Sequence, residues 1–329
     1  MKKRLFLALV VTLVIGAAFF WLVDLNQVIT LLRQADWRLL AAGIGALLVA
    51  YMLMAVRWRY LLANRTGFLP SFHAINISNL VNSLTPIPEI AVRVLITGRG
   101  ADMSISGATS GMLVERSLEQ VMRVLAFLLA LLTGYVISFK TESMLVNAGL
   151  ILVFLGLMVW LIRNAESIVG KVQVLLHRFP RLDQKQVEKA LTDLVTGLRM
   201  AGGPKQLTYG WLMSFAIWGA FFAFAYLVLL GLHIYLPIEQ MAAIALLTLA
   251  VAPPSAPGTP GLYQATIVGA LSLVAGFNPA LMTAYAIMIH VLQVIPLFFL
   301  GVWGAFGTDV SLRSVYQQQQ TVPVENKNR

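Results

Sequence analysis

Two apolar stretches of this chain are broken by proline-rich knots, one in each half. The first reads Leu84-Thr85-Pro86-Ile87-Pro88-Glu89. The second runs from Ala252 through Pro253, Pro254, Pro257, Gly258 and Pro260 to Gly261. Long apolar runs surround both. Irregular backbone at membrane depth carries N–H and C=O groups that lipid cannot satisfy, so it persists only where it is buried in protein or lines a wet cavity. A matched pair of interrupted segments in two halves points to a transport site between them.

Composition supports the membrane setting. The chain is 59% hydrophobic and 12% charged, whereas soluble domains carry about 25% charged residues. Mean hydropathy is +0.80. The chain therefore reads as an all-α integral membrane protein. Cysteine is absent, which excludes disulfides and thiolate metal sites. The formal net charge of +10 is assigned to membrane-flanking loops rather than to nucleic acid. The Met1-Lys2-Lys3-Arg4 start leads an apolar stretch over residues 5–23. That stretch is longer than a signal-peptide core of about 7–15 residues, so it reads as a retained span.

Six full spans are expected at about 5–23, 38–56, 119–138, 144–162, 207–231 and 280–304. Each is long enough to cross about 30 Å of hydrocarbon. Two further regions, 67–97 and 238–276, are too polar or too broken for ordinary spans. They read as re-entrant hairpins of two short helices joined at a knot. The transmembrane domain thus covers 1–305, with an amphipathic cytoplasmic connector at about 164–206 and a polar, disordered tail at 306–329.

Lys2, Lys3 and Arg4, then Arg57, Arg59 and Arg65, then the basic connector and tail would lie on one side. Arg33, Arg38 and Lys140 would lie on the other. This asymmetry puts both termini in the cytoplasm of an inner or plasma membrane. The two hairpins would then enter from opposite faces, as in an inverted repeat of about 38–138 and 207–304. A self-alignment agrees. Each half has a knot, a short helix, a turn (Ser104–Ala108 or Gly276–Ala280) and a longer helix. Arg116 falls opposite His290, and Glu119 opposite Gln293.

Ionisable residues in a membrane usually pair or face water. Glu115, Arg116, Glu119 and Arg123 place four charges within nine residues of one helix. They could form the charged floor of a headgroup cavity or a self-neutralising ladder that joins helices. Glu89 and Arg93 would share a face of the short helix after the first knot, one turn apart. Arg93 could grip a phosphate bidentately, helped by the helix N-terminus. It could equally clamp the hairpin through Glu89 or Glu115. His73, Asn76, Asn79, Asn82 and Ser83 make the first entry helix polar, which suits a wet lumen or interhelical hydrogen bonds. In the second knot, Pro257, Gly258, Pro260 and Gly261 would expose backbone dipoles, with Tyr263 and Gln264 directly after. His290 stands alone on an apolar helix, as a hydrogen-bonded core residue or a proton relay. No phosphate-cradling Gly-Lys-Ser/Thr loop, metalloprotease motif or nucleophile elbow is present. No cofactor or metal is expected.

In order along the chain come Arg57-Trp58-Arg59 at the end of span two, the Pro-x-x-x-Arg hairpin, Val114-Glu115-Arg116 and a late Pro-Gly-x-x-Gly hairpin. This resembles the lysylphosphatidylglycerol synthase transmembrane-region family, the flippase-like membrane proteins, over about 5–305. The family pattern falls on Pro86, Arg93, Glu115 and Arg116 in the first half, and on Pro257, Gly258 and Gly261 in the second. Gln264 stands where members carry a glutamate, and His290 where many carry an arginine. Glu89, Ile90 and Ala91 stand where glycines are usual. These departures count against a charge-dependent role for the second half. The resemblance implies movement of charged or glycosylated lipids between leaflets. The chain ends at Arg329 without the soluble aminoacyl-transfer domain of the synthases, so lysyl transfer is not expected.

The resulting expectation is a lipid translocase that acts on a phospholipid or glycolipid without chemistry. It would use Pro86, Pro88, Glu89, Arg93, Glu115, Arg116 and Glu119 with Pro257, Gly258, Pro260, Gly261, Gln264 and His290. A homo-oligomer or a lipid-biosynthesis enzyme is the partner compatible with this role. Rival readings are a membrane-embedded glycosyl or aminoacyl transferase using Glu89 or Glu115, an ion-coupled solute carrier using Glu119 and His290, and a non-transporting assembly partner.

Overall fold

The computed structural model describes residues 25–84, 89–100, 105–133, 203–251 and 262–307. The spans expected at 5–23 and 144–162, most of the connector and nearly all of the tail lie outside the described residues. So do both knots, with Pro86, Pro88, Pro257, Gly258, Pro260 and Gly261.

Every regular element among the described residues is helical. In chain order they are α1 (Leu25–Arg33), α2 (Trp37–Leu61), α3 (Phe68–Leu84), α4 (Glu89–Gly100), α5 (Ile105–Leu132), α6 (Pro204–Gly231), α7 (Ile238–Val251), α8 (Leu262–Val268) and α9 (Pro279–Phe306). A π-helical turn, Gly269–Val274, continues α8. Three of these helices, α2, α6 and α9, are long and apolar enough to cross a membrane. They correspond to the spans expected at 38–56, 207–231 and 280–304.

Local chemistry sets the helix ends. The Asp36 carboxylate accepts from the Arg38 amide at 2.9 Å and caps α2, a side-chain cap that satisfies an orphan donor. Ala63 and Asn64 take left-handed φ values of 51° and 58° and turn the chain towards α3. Asn278 caps α9 by accepting from Ala280 and Leu281. The turn expected at 276–280 is therefore present.

One expectation changes. The segment Ser104–Ala108 was expected as a turn, but α5 is helical from Ile105 onward. Its small polar residues satisfy themselves within the helix. Thr109 and Ser110 donate to the carbonyls of Ile105 and Ser106, a back-bond open to Ser and Thr in helices. Small residues on either side of that segment allow close packing. A Cβ on Gly98 would stand 3.0 Å from Ile105 Cγ1, and one on Gly111 would stand 2.7 Å from Leu62 Cδ2. The described part of the third expected span, 119–138, is consequently the later part of a 28-residue helix. The short helix α1 was not anticipated; its Leu31 and Leu32 pack against Ala284 of α9.

The helices pair in a reciprocal pattern. At the centre α2 lies along α6. Gly43 and Gly231 allow the approach: a Cβ on Gly43 would meet Phe224 at 3.4 Å, and one on Gly231 would meet Leu40 at 2.7 Å. On one side α3 packs on α9, and on the other α7 packs on α5. A seam of Gly301 and Gly304 on α9 and its C-cap Gly307 receives Leu80, Ile77 and His73 of α3. Within the halves, α4 packs on α3 and α5, and α8 on α9. One continuous core runs through the centre and includes Leu47, Trp58, Phe224, Val228 and Tyr285.

Candidate functional site

The C-terminal turn of α2 is where charge accumulates. Buried positions along α2 include Gly43, Leu47, Ala50, Met54, Arg57 and Leu61, a spacing of three and four residues that defines one helix face. Arg57 lies on that face. It was expected among the solvated cations that trail a span. Instead its side chain is 1% exposed, and it donates inward to Glu115 at 2.7 Å and Glu119 at 2.9 Å. The position on the apolar stripe was the available signal, and topology reasoning alone passed over it. Arg59, two residues on, is exposed.

Helices α4 and α5 supply the rest. On α4, Glu89, Arg93 and Thr97 recur every fourth residue and so share a face. On α5, Glu115 and Glu119 are one turn apart, with Arg116 alongside. Arg93 donates to both oxygens of Glu115 at 3.1 Å and also to Glu89. Arg116 donates to Glu89 at 2.6 Å and to Glu119 at 2.8 Å. Arg57, Arg93 and Arg116 thus alternate with Glu89, Glu115 and Glu119, and these six charges sum to zero; Arg123, one turn beyond Glu119, adds a further positive charge that interacts with Glu119 and Arg116. Each carboxylate touches two guanidinium groups. Desolvating ions is expensive, and only dense pairing with good geometry offsets the cost.

The cluster has a dry floor and a wetter rim. The side chains of Arg57, Arg93 and Glu115 are each 1% exposed, while Glu89, Glu119 and Arg116 reach 10%, 17% and 23%. Neutral side chains complete the floor. Arg57 donates to the Ser214 hydroxyl of α6 at 3.0 Å, and Ser214 donates onward to the Gly210 carbonyl. The Arg93 guanidinium lies 5.7 Å from the centre of the Trp58 ring, a cation–π arrangement. Trp58 itself donates to Thr97 at 3.3 Å. Among these six charged side chains, the Nε atoms of Arg57 and Arg116 have no acceptor.

The expected site residues therefore divide. Glu89, Arg93, Glu115, Arg116 and Glu119 converge in one place, joined by Arg57. His290 does not belong to this cluster: its ring lies 5.2 Å from that of Tyr263. Gln264, on α8, is partly buried. The second half accordingly presents neutral polar groups where the first presents ions. Of the polar entry helix, His73, Asn76, Ser78 and Asn82 are buried. Asn76 and Ser78 donate back to the carbonyls of Phe72 and Ile75, and His73 stands edge-on to Trp303 at 5.0 Å. Ser83 is exposed and bonds its own helix. Among the described residues no group of His, Asp and Glu has the arrangement of a metal site.

Comparison with known proteins places these features in a family. The model of the lysylphosphatidylglycerol synthase TM region matches residues 5–301. A UPF0104 membrane protein of Pyrococcus horikoshii is 28% identical over 305 residues, covering 85% of this chain and 90% of that protein. A UPF0104 membrane protein of Archaeoglobus fulgidus is 25% identical over 280 residues, covering 79% and 84% respectively. No solved structure matches the chain.

Proposed function

We propose that this chain, which belongs to the lysylphosphatidylglycerol synthase transmembrane-region family, is a lipid translocase that moves a phosphate-bearing headgroup between leaflets. One observation carries the reading: three arginines gathered by α2, α4 and α5 around the exit of the first broken segment. Arginine is the side chain suited to planar, bidentate recognition of phosphate. Arg116 and Arg93 are the headgroup ligands in this scheme, with Glu115 and Glu119 fixing their orientation. The acyl chains remain in lipid and the headgroup passes through protein. No chemistry on the lipid is required, so the protein acts as a carrier rather than an enzyme and needs no cofactor.

The reciprocal packing of α3 on α9 and α7 on α5 around the α2–α6 pair supports two related halves. Rocking of one against the other would expose the site to each leaflet in turn. The basic-residue asymmetry favours cytoplasmic termini in an inner or plasma membrane. A second reading is a structural clamp, favoured by the closure of the cluster on itself, every arginine being already engaged with a carboxylate.

A leaflet-resolved assay in proteoliposomes separates the two. A fluorescent phospholipid analogue is followed by a bleaching agent that cannot cross the bilayer. The translocase reading expects reconstituted protein to speed leaflet exchange. Arg93→Ala and the rim variant Arg116→Gln should both lower the rate about tenfold or more, the equivalent of one lost charge-assisted contact. Folded variants that match the wild-type rate would leave only the clamp.

A further inference from the structure

Glu89 bridges the two arginines that the translocase reading assigns to the headgroup. Its two oxygens are split between two helices, one engaging Arg93 of its own helix and the other Arg116 of α5 at 2.6 Å. From this geometry we infer that Glu89 is a resident counter-anion of a two-arginine oxyanion site, displaced when a monoanionic phosphodiester binds. The inference rests on the translocase reading and specifies how its site is regulated.

Three features support the exchange. It conserves charge: Glu89, Glu115 and Glu119 balance Arg57, Arg93 and Arg116, and a monoanionic phosphodiester in place of the Glu89 carboxylate leaves the same sum. A dianionic phosphomonoester or a neutral headgroup would not conserve it. The site also holds more donors than the carboxylate uses. Arg116 Nε is buried without an acceptor, and a phosphodiester offers further oxygens where a carboxylate has two. Finally, Glu89 is positioned to leave. It is the first residue of α4, and its side chain is 10% exposed, against 1% for Glu115. The second carboxylate of Arg93, Glu115, stays in the dry floor and holds the guanidinium in place. The first-turn amides of α4 add a favourable field for any anion there.

A lipid headgroup and a free phosphodiester share this chemistry, so the test carries both. The full chain is purified in alkyl maltoside micelles, which contain no phosphate. Phosphatidylglycerol, diacylglycerol and free glycerophosphoglycerol, the deacylated phosphodiester, are titrated separately. Binding is read from the ligand-dependent rise in unfolding temperature and from bound-lipid stoichiometry by native mass spectrometry.

Wild type is expected to bind phosphatidylglycerol saturably and diacylglycerol without specificity. Glu89→Gln should unfold earlier without lipid, yet bind phosphatidylglycerol about tenfold more tightly, which is about 1.4 kcal/mol. Glu89→Asp keeps the charge on a stem too short to bridge both arginines, and should fall between. Arg116→Gln should abolish the specific binding. Equal or weaker binding by Glu89→Gln overturns the displacement, while Arg116-dependent wild-type binding leaves the translocase site standing. If Glu89→Gln does not fold, Glu89→Asp decides in the same way: binding no tighter than wild type overturns the inference. Undiminished phosphatidylglycerol binding by Arg116→Gln overturns both readings. A tenfold gain with glycerophosphoglycerol equal to that with the lipid upholds the displacement and moves the ligand's source from bilayer to solution.

Discussion

Glu115→Gln removes one charge from the centre of the cluster and little volume. The amide keeps one acceptor oxygen but points N–H groups at guanidinium donors. Glu115 lies 2.7 Å from Arg57 and 3.1 Å from Arg93, and all three side chains are 1% exposed, so neither arginine can turn to water. Breaking a buried pair by removing one partner costs about 3–5 kcal/mol. Arg57 would keep Glu119 and Arg93 would keep Glu89, which places the expected loss near about 3 kcal/mol. The Arg116–Glu119 pair is an internal control: at 23% and 17% exposure its coupling should resemble that of surface pairs, about 0.2–1 kcal/mol. Reversible unfolding in mixed micelles of rising dodecyl sulfate fraction supplies both numbers through double-mutant cycles. The Arg57–Glu115 cycle should give about 1.5–3 kcal/mol. Two cycles that agree below about 1 kcal/mol would refute the reasoning, because they would mean that water screens the floor as well as the rim.

The glycine seam gives a steric prediction. A Cβ on Gly301 would stand 2.6 Å from Leu80 Cβ and 3.0 Å from the Asn76 carbonyl, so Gly301→Ala should cost about 1–3 kcal/mol in the same unfolding assay. Gly45→Ala, with nothing within 4 Å, should change stability by less than about 0.5 kcal/mol. Trp58→Phe loses the bond to Thr97 and weakens the cation–π contact with Arg93. It should cost about 1–2 kcal/mol, and adding Thr97→Val should recover part of that. Because the chain has no native cysteine, single cysteines at 87 and 258 can be labelled cleanly. A solvated chamber at the knots predicts reaction with a hydrophilic maleimide from at least one side, and complete protection from both sides counts against it.

The helices were legible because apolar runs of membrane length leave few alternatives, and the polar interruptions separated α3 from α4 and α7 from α8. The start of α5 was misread because small residues signal both a turn and a close helix contact. Gly98 and Gly111 show the second use, and one sequence offers no means to separate the two. Glu89, Arg93, Glu115, Arg116 and Glu119 were recognisable as charges out of place in an apolar setting. Their mutual pairing was open, because sequence spacing fixes neighbours on one helix but not between helices. Arg57 was assigned to the water side by the rule that cations flank spans. The rule concerns loops within reach of the interface, whereas the helical phase of Leu47, Ala50, Met54 and Leu61 already placed residue 57 inward.

The cluster belongs almost wholly to one half of the fold. Arg57 on α2, Glu89 and Arg93 on α4, and Glu115, Arg116 and Glu119 on α5 are joined by six ion pairs. A motion of the halves would carry them together, since breaking any floor pair costs several kcal/mol. The cluster reaches the other half through Arg57 Nη1 and the Ser214 hydroxyl of α6, 3.0 Å apart. A hydrogen bond to a charged group contributes about 1.5–3 kcal/mol, a scale suited to biasing an equilibrium between two arrangements rather than locking one. Ser214→Ala should therefore leave the Arg57–Glu115 coupling intact and cost less stability than Glu115→Gln. In the rocking scheme this contact belongs to one arrangement and not the other, so the substitution should also change the lipid-exchange rate in proteoliposomes several-fold. An unchanged exchange rate together with a lost Arg57–Glu115 coupling would invert the argument: Ser214 would then be part of the floor, and the boundary between moving parts would lie elsewhere than between α2 and α6.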